Sequence, residues 1–258
     1  MSGITTERRG AVAEIVFDRP DKRNAITVAM YAALAEALEA AEADEAVRVV
    51  LFHGHGGAFT AGNDLHDFLA HPPDGSDRPV FRFLRGLAGA RKPLVAAVQG
   101  PAVGIGTTML LHCDLVLAAE DARFMLPFVN LGLVPEAASS LLLPRLAGYQ
   151  RAAELFFLGD PFDAATAQRI GLVGRVVPAA DLLAAARALA DRLAAKAPAA
   201  LLATKALLKS ASVTVAERIE EEATVFVRQL QSAELQEAVA AFFEKRAPDF
   251  SRGGRAIG

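Results

Sequence analysis

A buried strand that breaks at glycines and resumes as a helix restricts the fold more than any other short feature of this sequence. It occurs at residues 92–114, KPLVAAVQGPAVGIGTTMLLHCD. Residues 94–98 are an apolar run ending at Gly100-Pro101, and Met109, Leu110 and Leu111 continue beyond the glycines in helix-forming residues. The spacing predicts a strand feeding a helix through Gly104 and Gly106. Amides at the start of a helix have no intrahelical acceptor, and aligned peptide dipoles leave partial positive charge there, so such a junction suits a developing anion. Two glycines between strand and helix serve equally as a tight turn with close packing, and the GxGxxG fingerprint is absent. The stretch gains chemical meaning only with a second element.

That element lies about forty residues upstream. Val49-Val50-Leu51-Phe52 reads as another buried strand, followed by the turn His53-Gly54-His55-Gly56-Gly57 and by AFTAGNDL at residues 58–65. Asn63 and Asp64 are candidate caps for a helix after Gly62, which again leaves free amides. Two strand-to-glycine turns can each supply one donor.

With these residues in view, the chain resembles the crotonase, or enoyl-CoA hydratase/isomerase, superfamily over nearly its whole length. The segments that carry the likeness are RPDKRNAIT (19–27), AFTAGNDL (58–65), KPLVAAVQGPAVGIG (92–106), CDLVLAAEDARF (113–124), NLGLVPEAASS (130–140) and FFEKRAPDF (242–250). The resemblance implies an α/β fold, a crotonase-like spiral of strand-strand-helix units with a helical C-terminal region. It also implies an acyl-CoA thioester substrate and assembly as a homotrimer or dimer of trimers. In that pattern the backbone amides of Asn63 and Ile105 form the oxyanion hole, while Gly62 and Gly104 admit the substrate. Ala61, Asp64 and Leu65 frame it, Asp64 being equally a helix cap. CoA is part of the substrate, and no cofactor or metal is implied.

Along the chain, residues 12–17 have strand character, Thr27 is an N-cap for an amphipathic run at 28–43, and 47–52 is the next strand. Residues 71–77 are polar and broken, a mobile loop able to flank an entrance. A helix is expected at 80–90, a strand at 94–98, a helix at 107–112 and a strand at 114–118, an alternation that argues a layered α/β core. Beyond Leu141 the chain becomes alanine- and leucine-rich. Helices are expected at 152–158, 164–170, 181–195, 199–210 and 213–243, with one strand at 173–177. The core is placed at residues 1–195 and a helical region, used in packing or trimerisation, at 196–258.

Removing the α proton of a thioester needs a base beside the carbon and donors aimed at the oxygen. Hydratases of the family use two glutamates. The positions that match them here are Thr108 and Phe128, neither of which exchanges a proton at neutral pH. A different acid, Glu136 in LGLVPEAASS, matches the single catalytic glutamate of the peroxisomal-type delta-3, delta-2 enoyl-CoA isomerases, to which AGNDL is also similar. That likeness makes Glu136 the catalytic base. On position alone it reads equally as a solvated or capping acid before the helical residues 139–143. Its neighbours Leu131, Leu133, Val134 and Ala137 are candidates to desolvate it and raise its pKa.

Arg23, Lys22 and Lys245 are candidates for the CoA phosphates, each equally readable as a solvated charge. His53, His55 and His66 lack the HExxH spacing of a metal site. Cys113 reads as an inert thiol, and no GxSxG elbow surrounds Ser139 or Ser140. With 258 residues and a net charge of −3, nothing points to nucleic acid. No run of about eighteen apolar residues suits a bilayer. The single cysteine, the absence of a secretory core in MSGITTERRG and the terminal RAIG make cytoplasm the expected location. A hydratase or another crotonase reaction, and a non-catalytic acyl-CoA-binding subunit, stand as alternatives to the isomerase.

Overall fold

The computed structural model describes residues 3–71, 75, 78–210 and 214–250. Short runs of Val, Ile, Leu and Ala form a six-stranded sheet from β1 (Ile4–Arg9), β2 (Val12–Phe17), β3 (Val49–Gly54), β4 (Leu94–Val98), β6 (Leu115–Ala119) and β9 (Arg175–Val177), in the order β1-β2-β3-β4-β6-β9. Only β1 and β2 are antiparallel; the remaining neighbours run parallel. Every residue of β3 and β4 is buried, as expected for interior parallel strands covered on both faces. A smaller sheet joins β5 (Pro101–Val103), β7 (Arg123–Met125) and β8 (Phe162–Asp163).

The repeat that the sequence hides is visible in how strands are shared between the two sheets. β4 lies in the large sheet and β5 in the small one; β6 and β7 do the same. After β3, Thr60 bridges Ala102 of β5, so that turn too reaches the small sheet. Helix α1 (Val28–Ala43) starts at Thr27, whose hydroxyl accepts from Met30 N–H, and buries Met30, Tyr31, Leu34, Ala35, Leu38 and Ala41. This face packs on α3 (Pro79–Gly89), which buries Phe83, Leu84 and Leu87. The large fully buried side chains Phe17, Phe52, Phe59, Phe83 and Phe124 anchor one continuous core. Burying a side chain of that size contributes about 1.5–3 kcal/mol.

The helix expected at 107–112 starts earlier and is shorter: α4 (Ile105–Thr108) gives way to a 3-10 turn at Met109–His112. Between α1 and β4 there is also α2 (Leu65–Ala70). Strand β1 was not expected, since ITTERR buries only Ile4 and is held as an edge by β2. After β7 come α5 (Ser139–Ala147), α6 (Tyr149–Leu158), α7 (Ala164–Arg169), α8 (Leu182–Ala194) and α9 (Pro198–Lys209). The single helix expected at 213–243 is two, α10 (Val215–Leu230) and α11 (Ala233–Phe243). Ser232 divides them by capping α11, its hydroxyl accepting from Leu235 N–H at 3.1 Å.

The chain divides into two compact units, Met1–Ala190 and Asp191–Gly258, against the boundary expected at 195. Within the second unit, Glu234 of α11 accepts from Ala199 and Ala200 N–H of α9 at 2.8 and 3.2 Å. Residues 72–74 and 76–77 of the expected entrance loop lie outside the described residues. No described helix is long and apolar enough to cross a membrane.

Candidate active site

Three segments converge at the C-terminal end of β5. The parallel bridge between Thr60 and Ala102 sets 60–63 alongside 102–105, so Asn63 and Ile105 stand three residues on from the bridge in each segment. Gly62 is wedged here: an added Cβ would meet Val103 O at 2.7 Å, and its φ of 85° is itself strained for any other residue. On its other side the segment is tied to the start of α1. Ile26 N–H donates to Gly62 O at 2.8 Å and Asp64 N–H donates to Ile26 O at 2.9 Å. This pattern directs the N–H of Asn63 away from Ile26, and no described backbone or side-chain group accepts it.

The second amide arises from a turn. Gly104 caps α4 with φ 55° and ψ −115°, a conformation open essentially to glycine alone, and a Cβ there would meet nothing within 4 Å. Gly104 O accepts from Thr107 and Thr108 N–H, both at 2.9 Å, while the N–H of Ile105 finds no acceptor among the described residues. The dipole contribution expected from the sequence is small, because α4 spans only Ile105–Thr108. What the turn presents is the N–H itself.

Glu136 completes the group. Its Oε1 accepts from the Thr108 hydroxyl at 2.5 Å, one helical turn beyond Ile105, and its Oε2 is buried without a partner among the described residues. Desolvation raises its pKa to about 7, against the lowering effect of the Thr108 hydrogen bond. Of the apolar neighbours expected to desolvate it, Leu131, Leu133 and Val134 are 49, 42 and 79% exposed, while Ala137 is half-buried against the core. Glu136 has its side-chain partner, Thr108, 28 residues away in the chain.

It is not a helix cap either; α5 has Ala138 at its N-cap with no side-chain cap bond. Instead Ala137 and Ala138 are both left-handed, at φ 54°, an arrangement costing on the order of 1–3 kcal/mol per residue. Ser139 holds this turn by donating from both its N–H and its Oγ to Glu136 O, at 3.0 and 2.6 Å, and His112 Nε2 bonds with Ala137 O at 2.8 Å.

Two participants were not foreseen. Thr108, passed over because it replaces a carboxylate, is the hydrogen-bond partner of Glu136. Tyr31, read only as part of an amphipathic helix, donates its hydroxyl to Asn63 Oδ1 at 2.5 Å and lies within electrostatic reach of Glu136. Phe128, at the second hydratase position, is a buried ring against Phe156, with centroids 6.3 Å apart. A helix periodicity carries no signal for a lone buried hydroxyl.

The remaining expected residues fall in two groups. Ala61 N–H donates to Arg23 O at 2.9 Å, which sets the exposed Arg23 beside the loop that carries Gly62 and Asn63, with exposed Lys22 next to it. Leu65 is 49% exposed, whereas the Asp64 carboxylate binds Arg19 at 2.8 Å and caps α2. The Arg19 bond holds the Asp64 pKa below the ordinary carboxylate value. Lys245 belongs to the second unit, exposed and left-handed just after α11. Of the histidines, His53 is bonded to buried Glu14 at 3.1 Å and His55 to Asp18 at 3.1 Å.

Residues 7–253 match the family model described as enoyl-CoA hydratase/isomerase. The chain is 35% identical to 1,2-epoxyphenylacetyl-CoA isomerase of Escherichia coli K12, over 97% of this chain and 99% of that one. It is also 35% identical to 2,3-dehydroadipyl-CoA hydratase of the same organism, again over 97% and 99%. A solved structure from Magnetospirillum magneticum AMB-1, described as an enoyl-CoA hydratase/carnithine racemase, superposes with TM-score 0.94 at 50% identity, covering 97% of this chain and 99% of the other. The spiral of strands shared between two sheets is therefore the crotonase fold, and the chain belongs to the enoyl-CoA hydratase/isomerase family.

Proposed function

We propose that this protein shifts the double bond of a 3-enoyl-CoA into conjugation with its thioester, with Glu136 as the only acid that moves protons. The observation that carries this reading is the Glu136 carboxylate: one oxygen is held by Thr108, the other is buried without a partner among the described residues, and its pKa of about 7 is poised for exchange at neutral pH. Oε2 takes a proton from the α carbon, and the electron pair delocalises through the carbonyl and the unsaturation. The N–H groups of Asn63 and Ile105 stabilise the oxygen of that dienolate. Glu136 then returns the proton to the γ carbon. Arg23 supports the CoA phosphates, with Lys22 and Lys245 as further candidates.

Glu136→Gln should retain CoA-ester binding and lose isomerisation by at least about 100-fold, as expected for removal of a general base. Undiminished turnover removes Glu136 from the mechanism. A hydratase is the second reading, favoured by the equal identity to a hydratase and an isomerase. Presenting 3-enoyl-CoA and 2-enoyl-CoA separately, and identifying which is consumed, distinguishes the two. Binding without turnover or α-proton exchange in deuterated water would instead identify an acyl-CoA-binding subunit.

A homotrimer or dimer of trimers and a cytoplasmic location belong to the same reading. Leu141, Leu146, Tyr149, Phe157 and Leu158 are 51, 45, 72, 63 and 55% exposed, apolar surface that favours a subunit contact. Sedimentation of the purified protein tests it.

A further inference from the structure

We infer that Tyr31 is a positioning residue for the oxyanion hole, acting through the side chain of Asn63. The inference rests on the proposed role of the Asn63 amide. Asparagine side chains readily turn back onto nearby backbone N–H groups, and Asn63 stands directly before Asp64, the N-cap of α2 whose side chain already accepts from Asp67 N–H. An Asn63 carbonyl free to swing would compete with substrate for the amides of this loop. The Tyr31 hydroxyl removes that freedom by donating to Asn63 Oδ1 at 2.5 Å.

Tyr31 is suited to hold rather than to be held. It is 3% exposed, in the first turns of α1, and its ring is tilted against Phe83 with centroids 6.1 Å apart. The α1 start is bonded to the same loop at two further points. Ile26 bridges Asn63, and Val28 N–H donates to Asp67 Oδ2 at 2.6 Å. Tyr31 thus extends a backbone clamp to the side chain of the residue between Gly62 and Asp64. Burial, and secondarily the nearby charge of Glu136, hold its pKa well above the ordinary tyrosine value, so it remains a donor throughout the working pH range. The same two groups couple the loop to the base: Tyr31 touches Asn63 and senses Glu136, while Thr108 touches Glu136 one turn from Ile105.

The test uses Tyr31→Phe, Asn63→Ala and the double variant in the full chain, with hexanoyl-CoA as probe. Two readouts report on the oxyanion hole whatever reaction follows: the shift of the bound thioester carbonyl stretch, and exchange of the α protons into deuterated water. Tyr31→Phe is expected to slow exchange about 10- to 100-fold and to reduce the carbonyl shift, with binding of hexanoyl-CoA within about 3-fold of wild type. In the Asn63→Ala background the same substitution should change exchange less than about 2-fold, because its route of action is gone. Wild-type exchange and carbonyl shift in Tyr31→Phe would overturn the inference. An equal loss in both backgrounds would also overturn it, by showing that Tyr31 does not act through Asn63. Wild-type protein that polarises and exchanges hexanoyl-CoA but leaves 3-enoyl-CoA unconverted defeats the isomerase reading and leaves Tyr31 in its role. Absence of both signals in wild type defeats the two together.

Discussion

Glu136 should make the protein less stable, in a way that depends on pH. Its carboxyl titrates near 7 in the folded chain, against 4.5 for an ordinary glutamate, because burial disfavours the charge. Between those values the folded state binds more protons than the unfolded one, so stability falls as pH rises from about 4.5 to about 7 and is then level. The displacement corresponds to about 3 kcal/mol at pH 8. Glu136→Gln removes the charge and keeps an acceptor for Thr108, but leaves a buried N–H group in place of the unpartnered oxygen, at about 1 kcal/mol. The variant should therefore be more stable by about 2 kcal/mol at pH 8, roughly 4–8 °C in Tm for a chain of this size. Below about pH 4.5 both side chains are neutral, the charge contribution is gone and only the buried N–H remains, so the variant should there be no more stable than wild type and up to about 1 kcal/mol less so. Thermal unfolding of both proteins from pH 4 to 9, at one protein concentration and without CoA esters, reads the effect directly. A Tm difference independent of pH, or largest in acid, would refute the reasoning that places a desolvated carboxylate at this site.

The rate at limiting 3-enoyl-CoA should rise with pH through about 7, since the base must be ionised; Thr108→Val, which removes the bond that lowers the Glu136 pKa, should move that midpoint upward by about one unit. A midpoint that stays in place would exclude Thr108 as the partner that matters. Gly62→Ala brings a Cβ to 2.7 Å from Val103 O at a φ of 85°, and should cut isomerisation at least about 100-fold while circular dichroism stays native; retained activity would show that the loop can shift. Away from the site, burial alone would raise the pKa of Glu14, but hydrogen bonds from Arg187, Arg9 and His53 outweigh it and bring it to about 2. Its contribution to stability is present above about 4.5 and lost as pH falls towards 2, so Glu14→Gln should flatten the acid limb of the stability curve, and an unchanged limb would contradict this.

Local patterns in the chain determined much of this protein. The apolar runs of β2 and β4, the Thr27 cap and 3.6-residue spacing of α1, and the two strand-to-glycine turns each follow from steric and hydrogen-bonding preferences within a few residues. The resemblance over six segments pointed to the family that residues 7–253 match. Those preferences could not say where a hydroxyl or a carboxylate ends up in space.

Asn24 shows why. In sequence it is one residue of a turn, yet it is fully buried, and its side chain links Arg19 N–H to the carbonyls of His55, Ala58 and Phe59. Glu136 is the same case with chemical consequences. Leu131, Leu133 and Val134 face solvent, while its carboxylate meets Thr108, 28 residues away in the chain, and Tyr31 lies within reach of its charge. Burial, and with it the pKa, is a property of everything that surrounds a group, and most of that surrounding is contributed by segments far away along the chain. The tertiary structure alone therefore decided that Thr108 partners the acid, that Tyr31 bonds to Asn63, and that among the described residues the Asn63 and Ile105 amides and one Glu136 oxygen are left without partners.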